Sequence, residues 1–130
     1  MVFQNLVLLE GRLTSDIELK ETSNGKKYAK FSLCYNQPKK LDYPNEKGYM
    51  YDYEPYFFNC IAWNKTAEKI SLLKKGNLIS LSGKLIFNQW EDNNNVKRTN
   101  VSILTYSIKH IEMLKNSNNL PNLQNEDIPF

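Results

Sequence analysis

One stretch of this chain has the spacing of a helix, and the runs on either side of it alternate like β-strands. In NKTAEKISLLKKG, residues 64–76, Ala67, Ile70 and Leu73 recur three apart and share one side of a helix of about three turns. Asn64 or Thr66 suits its start, Lys74 and Lys75 suit its carbonyl end, and Gly76 terminates it. A lone short helix has no helical partner to pack on, so its apolar side must close against sheet.

The sheet is supplied by five runs. NLVLLEGRLT, residues 5–14, is rich in branched residues and reads as a mostly buried strand. ELKETSNGKKYAKFSLCYN predicts a hairpin turning at Asn24-Gly25, a pair that tolerates the positive φ of a type I′ turn. On its returning strand Ala29, Phe31 and Leu33 alternate with Lys30, Ser32 and Cys34. YFFNCIAW, residues 56–63, leads into the helix; NLISLSGKLIFNQW, 77–90, and TNVSILTYSIKHIEML, 99–114, follow it. Three strands, one helix and two strands within about 110 residues predict an all-β OB-fold, the five-stranded Greek-key barrel with its helix between the third and fourth strands. Between the second and third strands, QPKKLDYPNEKGYMYDYE (37–54) has two prolines and a glycine and reads as a long loop or extended flap. Five of the eight tyrosines fall between positions 43 and 56.

The chain has 130 residues, 41% of them hydrophobic, enough for one core and too few for two. Its longest apolar stretches, such as VLL and CIAW, cannot span a bilayer, and no charged segment precedes an apolar run at the start; the expectation is a cytoplasmic protein with no membrane partner. Cys34 and Cys60 sit inside apolar runs and read as reduced core thiols, a bridge between adjacent strands being the alternative. His110 stands alone, which argues against a metal site. No cofactor-binding glycine loop and no nucleophile with a base beside it are present, so the reading is non-enzymatic, with no cofactor.

Charge is unevenly distributed. Residues 1–115 carry all 17 Lys and Arg against 12 Asp and Glu, a net +5, whereas the last fifteen carry Glu126, Asp127 and the terminal carboxylate. A basic body with an acidic tip implies a polyanion for the body and a tail repelled by it. From residue 116 the chain is Asn-rich and aperiodic, so the domain reading is a barrel over 1–115 and a disordered tail over 116–130.

Strand parity locates the candidate surface. In YFFNCIAW, Phe58, Cys60 and Ala62 suit a barrel interior, which leaves Phe57, Asn59, Ile61 and Trp63 facing outward. Packing beneath the flap or at a subunit contact is the plain alternative for those rings, and for Trp90 at the end of the fourth strand. Lys65 and Lys75 around the helix, Lys84 on the fourth strand, and Lys97 with Arg98 add cations. Aromatics interleaved with cations on one sheet are what single-stranded nucleic acid requires, because bases stack on rings and phosphates seek positive charge.

Together, NLVLLEGRLTSDIELKETSNGKKYAKFSL, WNKTAEKISLLKKGNLISLSGKL, the W and D of QWED and the terminal EDIPF resemble the bacterial single-stranded DNA-binding protein family over nearly the whole chain. The resemblance implies a homotetramer that wraps and protects single-stranded DNA during replication, recombination and repair. It implies base stacking by Phe57, Trp63 and Trp90 and backbone contacts by Lys65 and Lys75. It also implies that Glu126, Asp127, Ile128, Pro129 and Phe130 form a tip that docks replication, recombination and repair proteins, the last ring entering an apolar pocket on the partner. Several positions depart from the family pattern. Asn64 stands where a glycine is usual, Lys39 where another stacking aromatic is expected, with Tyr43 as a candidate substitute, and Asn59 and Gln89 where cations are common. An OB-fold adaptor of a replication-restart complex, binding DNA only incidentally, is the alternative reading.

Overall fold

A computed structural model describes residues 3–111. The expected tail, with Glu126, Asp127, Ile128, Pro129 and Phe130, lies outside the described residues. The elements run β1 (Val7–Leu13), β2 (Lys20–Glu21), β3 (Lys27–Lys40), β4 (Tyr51–Trp63), α1 (Asn64–Ser71), β5 (Leu78–Glu91) and β6 (Lys97–His110). The sheet order is β1-β5-β6-β4-β3-β2, and β1 also pairs with β3. That second pairing closes a ring of five strands, with β2 a two-residue appendage on β3, so the predicted OB-fold barrel is present with its helix after the third ring strand.

The core follows the alternation read from sequence. Ala29, Phe31 and Leu33 of β3, Cys60 and Ala62 of β4, and Ile79, Leu81 and Ile103 of β5 and β6 point inward, and Ala67 and Ile70 of α1 close one end. Two strand glycines set how tightly the ring closes. A Cβ on Gly11 would meet the Cys34 carbonyl oxygen, and one on Gly83 would meet the Leu104 carbonyl oxygen. Gly83 also marks a register shift between β5 and β6: Ser82 pairs with Ser107, but Gly83 pairs with Thr105.

All three tight hairpins use one five-residue turn. Thr22–Lys26, Asn45–Tyr49 and Asp92–Val96 each place a left-handed residue fourth, at Gly25, Gly48 and Asn95. In each, the first residue's side-chain oxygen accepts a hydrogen bond from a turn amide, at Thr22 Oγ1, Asn45 Oδ1 and Asp92 Oδ1. The predicted type I′ turn at Asn24-Gly25 is therefore corrected. Only Gly25 has positive φ there, which is the three-residue loop with a glycine bulge. The two ends of the segment predicted as a loop or flap, residues 37–40 and 51–54, form a hairpin arm, since β3 and β4 stay paired from Tyr28↔Trp63 out to Lys40↔Tyr51, and residues 41–50 make the loop at its tip.

The helix departs from expectation at both ends: it stops at Ser71 with Leu72 as C-cap, about two turns and not three, so Leu73, Lys74, Lys75 and Gly76 lie beyond it. Neither Asn64 nor Thr66 caps it: Trp63 holds the N-cap position without a side-chain bond, and Thr66 Oγ1 instead donates to the Tyr106 carbonyl at 3.1 Å. Asn64 has φ 52, the left-handed conformation that glycine adopts freely and asparagine tolerates. Asn64→Gly should therefore leave stability nearly unchanged, whereas Asn64→Val should lower it by about 1–2 kcal/mol in urea unfolding.

Candidate nucleic-acid interface

The pairing register places the candidate residues on one outward surface. On β3 and β4, Tyr28, Lys30, Ser32 and Cys34 lie opposite Trp63, Ile61, Asn59 and Phe57. The parallel pairing Ile61↔Leu104 joins this row to β6. There Leu104, Ser102, Asn100 and Arg98 lie opposite Lys84, Ile86, Asn88 and Trp90 of β5. Phe57, Trp63, Trp90 and Lys84 thus share the outer parity of one curved four-strand face.

Between the β3–β4 arm and the β5–β6 hairpin lies an open cleft of about 690 Å³. One wall is Lys30, Ser32, Asn59 and Ile61; the other is Ile86, Asn88, Asn100 and Ser102. The lining is carboxamides, hydroxyls and apolar side chains with a single cation, Lys30. Such a surface can satisfy base edges by hydrogen bonding while flat rings at its margins take the base faces.

The rings differ in availability. Phe57 is 65% exposed and Trp90 48%, so neither spends its area on the core. Trp63 is half-buried, its ring centroid 5.4 Å from that of Tyr28 and tilted by 40°, and it lines a shallow depression with Leu104 and Tyr106. Trp63 consequently joins the face to the barrel as well as offering a ring.

The lysines are not all on this face. Lys84 is; Lys65 opens α1 and Lys75 lies in the loop after it, both exposed, with the Lys75 backbone N–H donating to Asp16 Oδ1 at 2.7 Å. Lys30 was missed as a site residue although its alternation with Ala29 and Phe31 marks it as outward. Asn88, Asn100 and Ser102 had no such signal, because their placement depends on the β5–β6 register.

Lys39 is held in an ion pair on the β3–β4 arm. Its Nζ lies 2.8 Å from Glu54 Oε1, and the Tyr56 hydroxyl donates to Glu54 Oε2 at 2.9 Å. The hydrogen bond from Lys39, then that from Tyr56, holds the Glu54 carboxyl below its ordinary pKa, and the same carboxylate raises the pKa of both partners. Tyr43 is 81% exposed in the loop beyond the paired arm. At the other hairpin Arg98, opposite Trp90, is tied to Asp92 by a 2.9 Å contact from Nε to Oδ2. Backbone N–H donors of Val96 and Asn94, then Arg98, hold the Asp92 carboxyl below its usual range.

The two cysteines are both free but occupy different environments, which corrects the reading of Cys34 as a core thiol. Cys60 is buried, and burial pushes its thiol up to about 12, whereas Cys34 is half-buried on the outer face opposite Phe57. A thiol-exchange reagent at about pH 8 should find Cys60 protonated and inert, and should titrate one thiol in the native protein and two after denaturation.

Among the described residues, no cluster of His, Cys, Asp and Glu could hold a metal ion, and no helix is long and apolar enough to cross a membrane. A closed five-stranded barrel with one capping helix, and with exposed rings flanking an amide-lined cleft, defines an OB-fold module of the kind that holds single-stranded nucleic acid. Comparison with known proteins narrows the class: the model of the single-strand binding protein family matches residues 4–114, and the chain belongs to that family.

Among its relatives, the single-stranded DNA-binding protein of Halalkalibacterium halodurans is 37% identical over 83% of this chain and 61% of its own length. That of Borreliella burgdorferi is 32% identical over 95% of this chain and 78% of its own. Single-stranded DNA-binding protein 1 of Streptococcus pyogenes is 30% identical over 97% of this chain and 98% of its own. The chain thus spans under two thirds of the first of these relatives and nearly all of the last. Among solved structures, a deletion mutant of the single-stranded DNA binding protein from Thermus aquaticus aligns with TM-score 0.65 and 26% identity, covering 83% of this chain and 50% of that one.

Proposed function

We propose that this protein binds and protects single-stranded DNA without sequence preference, stacking unpaired bases on Phe57, Trp63 and Trp90 while Lys30 and Lys84 on the face, and Lys65 and Lys75 beside it, hold the sugar-phosphate chain. The observation that carries this reading is that two rings of β4 and one of β5 share the outward parity of one four-strand face, in the middle of which lies an open cleft. The relatives' names add support. The role is binding, without covalent chemistry, in replication, recombination and repair. Titration with oligo-dT should quench tryptophan fluorescence; no quenching at low salt overturns the proposal. The logarithm of affinity should fall with the logarithm of salt concentration by about 0.7 per phosphate neutralised.

The barrel over 1–115 acts as the DNA-binding unit and 116–130 as a tail whose acidic tip recruits genome-maintenance proteins. Its motif is Glu126, Asp127, Ile128, Pro129 and Phe130, with the Phe130 ring and carboxylate read together by the partner. Appending residues after Phe130 should abolish partner capture in pull-down assays while leaving oligo-dT affinity unchanged or slightly higher. Assembly is as a homotetramer, for which Leu6 and Leu8, 69% and 72% exposed, offer apolar contact area. The mass of the protein in solution tests it.

A further inference from the structure

The outward row that carries Trp63, Ile61, Asn59 and Phe57 does not stop at the barrel. Along β4 the same parity continues through Pro55 to Tyr53 and Tyr51, and the next position of that parity is Tyr49. We propose that Tyr49, Tyr51 and Tyr53 form a second stacking track that takes further unpaired bases of the DNA strand leaving Phe57. This rests on the reading of the four-strand face as the DNA-binding surface.

Tyr49 and Tyr53 keep much of their area open to solvent, and Tyr51 between them is half-buried. Across the hairpin Tyr53 lies opposite Pro38 and Tyr51 opposite Lys40. The three rings lean on one another, Tyr49 to Tyr51 at 5.5 Å and 27°, and Tyr51 to Tyr53 edge-on at 5.8 Å and 81°. Tyr49 remains 51% exposed and Tyr53 43%. An open cleft of about 660 Å³ runs along them, with Lys47, Glu46 and Asp52 also on its walls.

The arm that carries the ladder is held in place. Asn45 Nδ2 donates to the Tyr51 carbonyl at 3.2 Å, and Asn45 Oδ1 accepts from the amides of Lys47 and Tyr49 at 3.0 Å each. Leu41 N–H donates to the Met50 carbonyl at 2.9 Å. Rings presented on a fixed arm lose less freedom on binding than rings on a loose loop. From Phe57 to Tyr51 the strand advances six residues, about 20 Å at roughly 3.3 Å per residue, so the track adds length to the binding site rather than depth.

Charge indicates how the ladder would bind. Between residues 39 and 54, Lys39, Lys40 and Lys47 are outnumbered by Asp42, Glu46, Asp52 and Glu54, and Lys39 is already engaged by Glu54. A surface with more carboxylates than ammonium groups gains little from phosphates. Its attraction for DNA comes from base faces, and removing it should change affinity while leaving the salt dependence as it was.

The test replaces all three tyrosines by threonine, which keeps β-propensity and removes the rings. Against oligo-dT of about 30 nucleotides the variant should lose about tenfold or more in affinity, with an unchanged salt slope; against about 8 nucleotides, which the barrel face holds alone, it should match the unaltered protein. Replacement of the same three by phenylalanine should restore binding to the longer oligomer, since the ring rather than the hydroxyl carries the effect. A threonine variant that matches the unaltered protein at both lengths overturns the ladder and leaves the barrel reading standing. Loss of self-association with unchanged DNA affinity also overturns it, by making the ladder a subunit contact. An unaltered protein that binds neither oligomer overturns both readings. Should the threonine variant fail to fold, photocrosslinking of 5-iodouracil oligomers to the unaltered protein decides: adducts on the peptide bearing Tyr49, Tyr51 and Tyr53 support the track, and their absence overturns it.

Discussion

Replacing Phe57 and Trp90 together by alanine lowers oligo-dT affinity by about 2–6 kcal/mol, on the expectation of about 1–3 kcal/mol per stacked base and near-additivity between sites on different hairpins. At 1.4 kcal/mol per decade this is a loss of roughly 30-fold to 10⁴-fold, readable by fluorescence anisotropy of a labelled oligomer. These two rings are the informative pair because each is about half exposed or more, so truncation leaves the core intact. Trp63→Ala is less clean, since Trp63 also packs against Tyr28. The salt series separates this effect from charge. Removing rings displaces the line of affinity against salt without changing its slope, whereas Lys30→Ala and Lys84→Ala should each reduce the slope by about 0.7. A change of slope in the ring variant would show that the rings act by positioning cations and not by stacking. An adaptor that meets DNA only incidentally would keep partner affinity in Trp63→Ala and Trp90→Ala and have little DNA affinity to lose.

The features legible in the sequence were those written within single elements. The helix announced itself by Ala67 and Ile70, although Leu73 lies beyond its end, and the outward rings of β4 by strict alternation along YFFNCIAW. What remained hidden depends on relations between elements. Lys30 and Asn88 face one cleft only because β3 and β5 are both carried round the ring by β4 and β6, and no window on one strand contains that information. The offset at Ser82 and Gly83 inverts the parity of β6, so that Ile103 and Thr105 face inward before it and Ile108 after it, with Tyr106 left 54% exposed. Simple alternation along TNVSILTYSIKHIEML assigns one side of that inversion wrongly. The helix start was misread because hydroxyl and carboxamide side chains have several backbone partners within reach: Thr66 found the Tyr106 carbonyl and left the N-cap to Trp63. The Tyr49, Tyr51 and Tyr53 spacing was visible, but the length of the β3–β4 pairing that turns a loop into an arm was not.

Gly83→Ala should destabilise the barrel by about 3 kcal/mol, at the upper end of what overpacking usually costs. The obstruction is backbone: the added methyl would meet the Leu104 carbonyl oxygen, with the Leu104 carbonyl carbon 2.9 Å and the Thr105 Cα 3.1 Å away. A flexible side chain could swing aside, but a carbonyl in a paired strand cannot retreat without opening the ladder that holds it. Gly83 pairs with Thr105 at the register shift, and beyond it β5 carries Lys84, Ile86, Asn88 and Trp90 on the outward parity of the cleft face. Relief by spreading β5 from β6 would therefore displace the cleft wall as well as loosen the ring. Gly25→Ala provides the control, because Gly25 has φ +87 with nothing within 4 Å of an added Cβ. Its loss should be conformational alone, about 1 kcal/mol, with oligo-dT affinity unchanged. Urea unfolding of the two variants compares the terms directly. A midpoint for Gly83→Ala no lower than that for Gly25→Ala would mean that the strands are not held at the separation this register requires.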